Sequence, residues 1–475
     1  MSAPFDVAIV GPGTVGLYLA AALPPGLRVA LVGTRLDRDE LLGPAPGTSG
    51  HTGVLDGWAG GAGGTSTRWG GQLWPWQPWE IAGGADRRAW PLDYARDIAP
   101  HYGRVLQRLG LDAPLRTDVH ERSGASDWPQ LRTEFTEVRY STWMNGGHRN
   151  FNRNRSLQRR QARVEAIAGN VARIESRQRG RSALLDAAGH VLAEATTVVL
   201  ASGTLGNIKL VQSSFPDIAA LRPVGRYFGD HLSTRAARAV VVDRRRFSAF
   251  AAPTFIRHGR ATTRLATTAA FAECRGTMPA YGHFEVMSPT LNAVRRLSRA
   301  RTPGAFAGPV RDLLGETPSL PRQVAAAAGS ARRRQRPIDV RGEVFLRVDV
   351  EQPLREDSFV SWDDDGSLRL EWRVGPEEAA ATRCAGEAFS PLLEQHIGVE
   401  LEPIDELAMQ DIYHLIGGTR MGSRLDPDAV VDDQLELIGA DGVFIVGAST
   451  FPSGGMANPT FTALALADRL ADRLS

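Results

Sequence analysis

Three glycines near the start of the chain leave it few folds. Gly11, Gly13 and Gly16 stand in FDVAIVGPGTVGLYLAAAL, between one apolar run and another. The order reads as a buried strand, a tight turn and an apolar helix. In that setting the first glycine permits the turn, the second lets a pyrophosphate approach the backbone, and the third lets helix and strand pack closely. The segment predicts a dinucleotide-binding βα unit and leaves open which dinucleotide. An acid that binds the adenosine ribose is expected at the end of the next strand, RVALVG. Gly33, Thr34 and Arg35 stand there instead, and Arg35 keeps a 2′-phosphate, hence NADP, in play.

A chain of 475 residues has room for two domains and a large core. Its 43% hydrophobic and 23% charged residues are those of a soluble globular protein. No run of roughly 18 apolar residues marks a spanning helix. A net charge of +2 gives no reason to expect nucleic acid as a partner. Lys209 is the only lysine among 55 basic residues, which reads as coding bias. The two cysteines, Cys274 and Cys384, give neither metal spacing nor a disulfide framework, which suits a reducing cytoplasm. A first strand that starts near residue 5 leaves no space for a signal peptide. No ligand-spaced His/Cys cluster and no GxSxG elbow exist, so neither a metal site nor Ser–His–Asp hydrolysis is expected.

Residues 57–80, GWAGGAGGTSTRWGGQLWPWQPWE, are a second glycine-rich stretch, and they hold Trp69, Trp74, Trp76 and Trp79. Tryptophan faces suit sugar rings, but packing is the expected role of at least two of these. Residues 110–155 are polar and predict a loop or lid. The strand TVVLAS leads into another glycine turn at Ala201 and Gly203. Between 234 and 400, alternating segments such as ARAVVVD and EVFLRVDV predict an antiparallel sheet. Residues 292–336 are rich in Arg and Ala. They predict solvated helices, or else a basic cover for lipid, an acidic partner or an anionic substrate.

The last sixty residues carry DIYHLIGGTRMG, the apolar strand VFIVGAS and the helix signal GMANPTFTALALADRLAD. Asn458 suits an N-cap and Pro459 the first helical position, with Phe461, Leu464, Ala465 and Leu470 near one face. Such a helix start offers free N–H groups and a positive dipole end to an anionic part of a cofactor.

HLIGGTRMG, VFIVGAS and GGMANPTFTALALADRLADRL resemble the closing segment of the glucose–methanol–choline (GMC) flavoenzymes. The nearest likeness is to the pyranose oxidase branch, where a His–Asn pair replaces His–His. GGTSTRWGG, AWPLDYARDIAPHYGRV, TVVLASGTLGNIKLVQSS and VGRYFGDHLS are similar to further family segments. The resemblance implies an α/β fold: a Rossmann-like FAD-binding domain of the p-hydroxybenzoate hydroxylase type plus an α+β substrate domain with an antiparallel sheet. Residues 1–90, 155–233 and 401–475 are then assigned to the FAD-binding domain, and 91–154 and 234–400 to the substrate domain. FAD is the implied cofactor. Its contacts would be Gly11, Gly13 and Gly16, then Gly64, Thr65, Ser66, Thr67, Arg68 and Trp69, with the Val171 backbone at the adenine. Ala201, Gly203, Gly447, Ala448, Pro459 and Thr460 complete the set. Arg68 stands where the branch carries a flavin-linked histidine, so non-covalent FAD is expected. The implied reaction is hydride transfer from an alcohol carbon to flavin N5, with His414 as base and Asn458 orienting the same oxygen. His231 is expected to be structural. A sugar, cyclitol or glycoside is the expected substrate, with oxygen or another carrier as acceptor, and a homo-oligomer is possible. The rivals are an NAD(P)-dependent dehydrogenase, which would not be yellow, and a lyase-like flavin protein, which no alcohol would bleach.

Overall fold

The computed structural model describes residues 4–34, 38–84, 87–111, 128–287, 335–336 and 338–475. Arg35, residues 112–127 of the expected lid and nearly all of the Arg-rich stretch 292–336 lie outside the described residues. Among the described residues no helix is long and apolar enough to cross a membrane.

The first sheet is built on β1 (Phe5–Val10), β2 (Val29–Val32), β6 (Glu165–Ile167), β9 (Val191–Leu200) and β19 (Val443–Ile445), all parallel. β7 (Arg173–Arg177) and β8 (Arg181–Leu185) extend it as an antiparallel meander, giving the order β6-β2-β1-β9-β8-β7. β9 is long enough to pair β8 with its first half and β19 with its second. β1 and β2 are almost wholly apolar and buried, as a parallel sheet covered on both faces requires. The helix Thr14–Ala22 follows β1 directly, so the glycine turn falls at the carboxyl ends of the strands.

The second sheet runs β17-β10-β14-β13-β12-β5-β4, with β11 on β12 and β18 on β10. Its members are β4 (Gln72–Leu73), β5 (Thr136–Met144), β10 (Leu232–Val241), β11 (Thr254–Ile256), β12 (Gly259–Thr267), β13 (Ala280–Val286), β14 (Val344–Val350), β17 (Val399–Pro403) and β18 (Gln410–Asp411). By strand pairing, therefore, 399–411 lies with this sheet and not with the parallel one. A third, small sheet joins β15 (Phe359–Trp362), β16 (Leu368–Glu371) and β3 (Gly47–Thr48).

The two faces of the second sheet differ sharply. The helix Pro376–Ile397 covers one face: a Cβ on Gly282 would stand 3.0 Å from Phe389 and 3.3 Å from Leu346. Because side chains alternate along a strand, the opposite face receives Ser233, Asp349 and Tyr281 in one cross-strand row. Arg235, Arg347, His283 and Arg264 form the next row. That face is polar and leads towards His231, two residues before Ser233.

The closing helix, Pro459–Arg473, starts where the sequence places it. It is buried nearly all round rather than on one face, from Phe461 to Asp468 and again at Leu470 and Ala471. The helices Thr14–Ala22 and Ala99–Arg108 pack beside it. One charge is enclosed in this packing. Asp468 is fully buried and accepts from Tyr18 Oη at 2.6 Å and Arg104 Nε at 2.6 Å; it also pairs with Arg108 and His101. A buried carboxylate stays charged only with such company, and removing one side of the pairing leaves the other uncompensated. Asp468→Ala is expected to cost about 3–5 kcal/mol of stability. Urea unfolding followed by far-UV circular dichroism checks this; an unchanged midpoint would contradict the clamp.

Candidate active site

Asp230 sets the backbone of the site. It is fully buried, and its carboxylate accepts the His231 N–H at 2.7 Å and the His414 N–H at 2.8 and 2.9 Å. Tyr413, just before His414, has a left-handed φ of +66°, which a non-glycine residue holds only when its surroundings impose it. Behind Asp230 lies His51, whose Nε2 stands 3.3 Å from Asp230 Oδ2, and then Asp411, which accepts from the Thr52 and Gly53 amides.

Four groups then form one line of hydrogen bonds. His231 Nε2 lies 2.7 Å from the Gly455 carbonyl, His231 Nδ1 lies 3.0 Å from His414 Nδ1, and His414 Nε2 lies 2.7 Å from Asn458 Nδ2. A carbonyl only accepts, so His231 must carry its proton on Nε2. A neutral His231 then accepts at Nδ1, so His414 donates from Nδ1 and keeps a lone pair on Nε2. The Asn458 amide group donates to that lone pair. Reversing the amide would ask His414 Nε2 to donate, and the rest of the line forbids it. The imidazole rings cross at 85° with centroids 5.1 Å apart. Burial above all, and then the nearby His231, lower the pKa of His414 to about 4, against the opposing pull of Asp230 and Asp349. At neutral pH this imidazole is therefore uncharged.

Asn458 occupies the N-cap of the closing helix, yet its side chain makes no capping bond. The amide is spent on His414, and Oδ1 is buried with no donor. The turn before it is held by Trp76. The indole donates to the Ala457 carbonyl at 3.2 Å, and a Cβ on Gly455 (φ +60°) would lie 2.9 Å from the ring. Trp74 and Trp76 are core residues; Trp69 donates to the Arg149 carbonyl at 2.7 Å, and Trp79 packs partly buried.

The glycine-rich segments meet at the carboxyl ends of the parallel strands. A Cβ on Gly16 would fall 2.0 Å from the Gly11 carbonyl, and one on Gly11 would fall 2.8 Å from Ala201 O, so both are needed for packing. Gly64 packs on Gly13, and the turn Gly64–Thr67 is tied to the first helix through Ser66 N donating to Thr14 Oγ1 at 3.0 Å. Thr65 Oγ1 lies 3.3 Å from the same hydroxyl, and Thr67 caps its own turn on Gly64 O at 2.8 Å. Arg68 reaches the Trp58 carbonyl. On the other side Ser202 N donates to Asn207 Oδ1, Asn207 donates to Ser449 Oγ, and Gly417 N donates to Ala448 O at 3.1 Å. These links carry the strand ends across to the segment bearing His414, while Pro459 and Thr460 open the closing helix beside it. Val171 lies apart, next to Asn170, which accepts from Thr34 Oγ1 at 2.8 Å.

Two observations test whether a dinucleotide suits this surface. No atom comes within 3.8 Å of a Cβ on Gly13, Gly203 or Gly447, so bare backbone faces open space at three strand ends. Asn458 Oδ1 also lacks a donor at the inner end. The donor set fits. The missing ribose acid has a steric reason, because a Cβ on Gly33 (φ +149°) would stand 2.4 Å from Pro12 Cδ. Thr34, Asn170 and Glu40, joined by hydrogen bonds, are the polar groups at that strand end.

Sequence reasoning missed His231, Asp230, His51 and Asp411 as neighbours of the pair, because residues 183 positions apart met in the fold. It also foresaw no metal-type clusters, whereas Asp230, His231 and His414 converge, as do His51, Asp230 and Asp411. Both Asp230 oxygens are taken by backbone N–H groups.

A parallel nucleotide-type sheet, with a polar antiparallel sheet beside a His–Asn pair, defines a two-sheet α/β architecture. Residues 356–467 match the family model described as GMC oxidoreductase. Over that segment the chain carries the C-terminal domain of the GMC oxidoreductases, the family its sequence resemblance names. It is 32% identical over 105 residues to dehydrogenase pkfF of Emericella nidulans, covering 20% of this chain and 17% of that protein. It is 28% identical over 95 residues to choline oxidase of Arthrobacter globiformis, again covering 20% and 17%. These alignments thus span 17% of the length of either relative. The fold is shared with pyridoxine 4-oxidase from Mesorbium loti (TM-score 0.60, 17% identity, 98% of each chain). A fungal aryl-alcohol oxidase shares it too (TM-score 0.56, 15% identity, 100% of this chain and 99% of the other).

The proton order can be checked without any reaction. In protein labelled with 15N-histidine, His414 is expected to show a protonated Nδ1 and a bare Nε2 at neutral pH. His231→Leu removes the acceptor and is expected to move that proton to Nε2. An unchanged nitrogen spectrum for His414 would remove His231 from this role.

Proposed function

We propose that the protein is an FAD-dependent oxidoreductase that converts a CH–OH group to a carbonyl, with His414 as base and Asn458 orienting the carbinol. The observation that carries the reading is the proton order from Gly455 to Asn458, which leaves a lone pair on His414 Nε2 beside an amide donor. A carbinol oxygen entering between the two would donate its proton to Nε2 and accept from Asn458 Nδ2. Its entry replaces the existing 2.7 Å contact, so neither side chain is left unpaired. As Nε2 takes the proton, the imidazolium is favoured by Asp230 and Asp349 and disfavoured by burial. That balance keeps the base free at rest and ready to pass the proton on. A bound flavin would supply the two-electron acceptor.

FAD would lie along Gly11, Gly13, Gly16, Gly64, Thr65, Ser66 and Thr67, with Arg68 and Trp69 flanking, Val171 at the adenine end, and Ala201, Gly203, Gly447 and Ala448 between. Free N–H groups at Thr460 and beyond, following Pro459, give a positive helix end for the anionic ring edge. Arg68 cannot form the histidyl link, which supports non-covalent binding. The assignment of two domains as 1–90, 155–233 and 401–475 against 91–154 and 234–400 belongs to this reading, with 399–411 moved to the second by its strand pairing. The names of the similar proteins, choline oxidase, pyridoxine 4-oxidase and aryl-alcohol oxidase, support an alcohol. The polar face of Ser233, Asp349, Tyr281 and His283 supports a sugar, cyclitol or glycoside, with oxygen or another carrier as the electron acceptor. Two free cysteines, Cys274 and Cys384, are consistent with a reducing compartment.

Purified protein is expected to be yellow, to release its flavin on acid precipitation, and to bleach anaerobically with a polyhydroxylated alcohol. A panel of sugars, cyclitols and simple alcohols that leaves the flavin oxidised would sink the reading. His414→Ala is expected to retain FAD and to slow bleaching by roughly a thousandfold or more. For the wild type, a base with a pKa of about 4 is unprotonated above roughly pH 5. The bleaching rate should therefore be flat through neutrality and fall as pH drops towards 4; a rise centred near the ordinary histidine value of 6.5 would contradict it.

A further inference from the structure

We propose that the alcohol carries an anionic group, a carboxylate or phosphate, that seats on Arg264. This deepens the reading above and rests on it for the location of the reacting carbon. Arg264 lies on β12, on the polar face, in the row that runs Arg235, Arg347, His283, Arg264. It is 9% exposed. Among the described residues its one hydrogen bond is a long one, Nη1 to the Thr263 carbonyl at 3.5 Å; the guanidinium also stands over the Tyr281 ring at 5.6 Å, and its Nε is buried with no hydrogen-bond partner. No carboxylate among the described residues forms an ion pair with it.

The neighbouring charges are already committed. Arg235 and Arg347 share Glu285, at 2.8 and 3.5 Å. Arg139, the next strand's residue in register, pairs with Glu80. Asp349 accepts from Ser233 and faces His283 Nδ1 at 3.8 Å. Arg260, four residues before Arg264 on the same strand and over the Trp143 ring, adds a further guanidinium. Burial first, then Arg336, Arg149 and Arg264, lower the pKa of Arg260, so this end of the face is a region of positive potential. His283 Nδ1, directly beside Arg264 in the row, is buried and also lacks a hydrogen-bond partner. By the strand register, guanidiniums at 139, 235, 260, 264 and 347 thus stand on a face with carboxylates at 137, 285 and 349.

A buried, unpaired charge is costly, and the cost is met when a ligand brings the counter-charge. A guanidinium offers a planar fork that fits carboxylate or phosphate oxygens. The row gives the spacing. β10, which begins beside His231, and β12 are three strand intervals apart, roughly 14 Å. His231 lies four residues before Arg235, the β10 member of that row, so the seat is farther still from the carbinol at His414, beyond the reach of a single ring, which points to a glycoside or sugar ester in place of a simple sugar acid.

The test uses the flavin-loaded full-length protein. Matched alcohols are compared: a neutral diglycoside, its uronate form and its phosphate ester. The anionic members are expected to show a KM at least tenfold lower than the neutral one, with similar kcat, the two anionic arms telling carboxylate from phosphate. Arg264→Gln should raise the anionic KM by roughly 30-fold or more and leave the neutral KM within twofold; Arg264→Lys should recover part of the loss. Equal KM values for neutral and anionic alcohols in the wild type, or an equal loss for both in Arg264→Gln, would overturn the proposal. Calorimetric titration with methyl glucuronide and with inorganic phosphate reports on Arg264 even if no alcohol bleaches the flavin. Saturable binding lost in Arg264→Gln supports the seat, and no binding of either anion to the wild type overturns it. If Arg264→Gln does not fold, Arg264→Lys and the wild-type comparison decide the matter.

Discussion

One backbone carbonyl sets the polarity of the whole candidate site. Gly455 O can only accept, and that fact orders the protons on His231, His414 and Asn458 in turn. The carbonyl is itself held in place by a turn that only glycine can make against the Trp76 ring. Trp76 is locked by Trp90 and Phe451, whose rings meet it edge-on at 5.0 and 5.3 Å. A buried aromatic cluster with no chemistry of its own thereby decides which nitrogen of His414 is free. At the other side, Asp230 fixes the backbone of both histidines, so their spacing depends on one carboxylate.

The local elements were legible because each rests on short-range rules. Gly11, Gly13 and Gly16 announce a strand, turn and helix, and that unit is present with the glycine contacts such a turn needs. Pro459 announces a helix start, and the helix begins there. Alternation across 234–400 announces antiparallel strands, and β10, β12, β13 and β14 form them. The His414–Asn458 pairing was legible only through family resemblance, since 44 residues separate the two.

What the sequence hid depends on long-range contact. Asn458 reads as a cap, but its side chain turns the Nδ2 donor onto the His414 lone pair and makes no capping bond to the helix. His231 reads as structural, and it is structural in that it packs and bonds. Nothing local reveals that its partner is His414. Gly33 reads as a missing acid, and only the fold reveals Pro12 filling the space where a side chain would start. The closing helix reads as one-sided, but the helices Thr14–Ala22 and Ala99–Arg108 pack beside it, and the one charge so enclosed, Asp468, is neutralised by neighbouring arginines.

Asp468 and Arg264 make a useful contrast, because both are charges removed from water. Asp468 has tyrosine, histidine and two arginines around it and sits between helices. Its burial is complete without a ligand, so it holds the fold. Arg264 has a long bond to one carbonyl and sits on the polar face that ends at His231 and His414. The same desolvation cost applies to both; hydrogen-bonded cations meet it at Asp468, whereas Arg264 has no ion pair among the described residues and only the Tyr281 ring beneath it. Buried charge that the fold satisfies is architecture; buried charge that it leaves open, on the face that leads to an ordered base, has to find its counter-charge from outside.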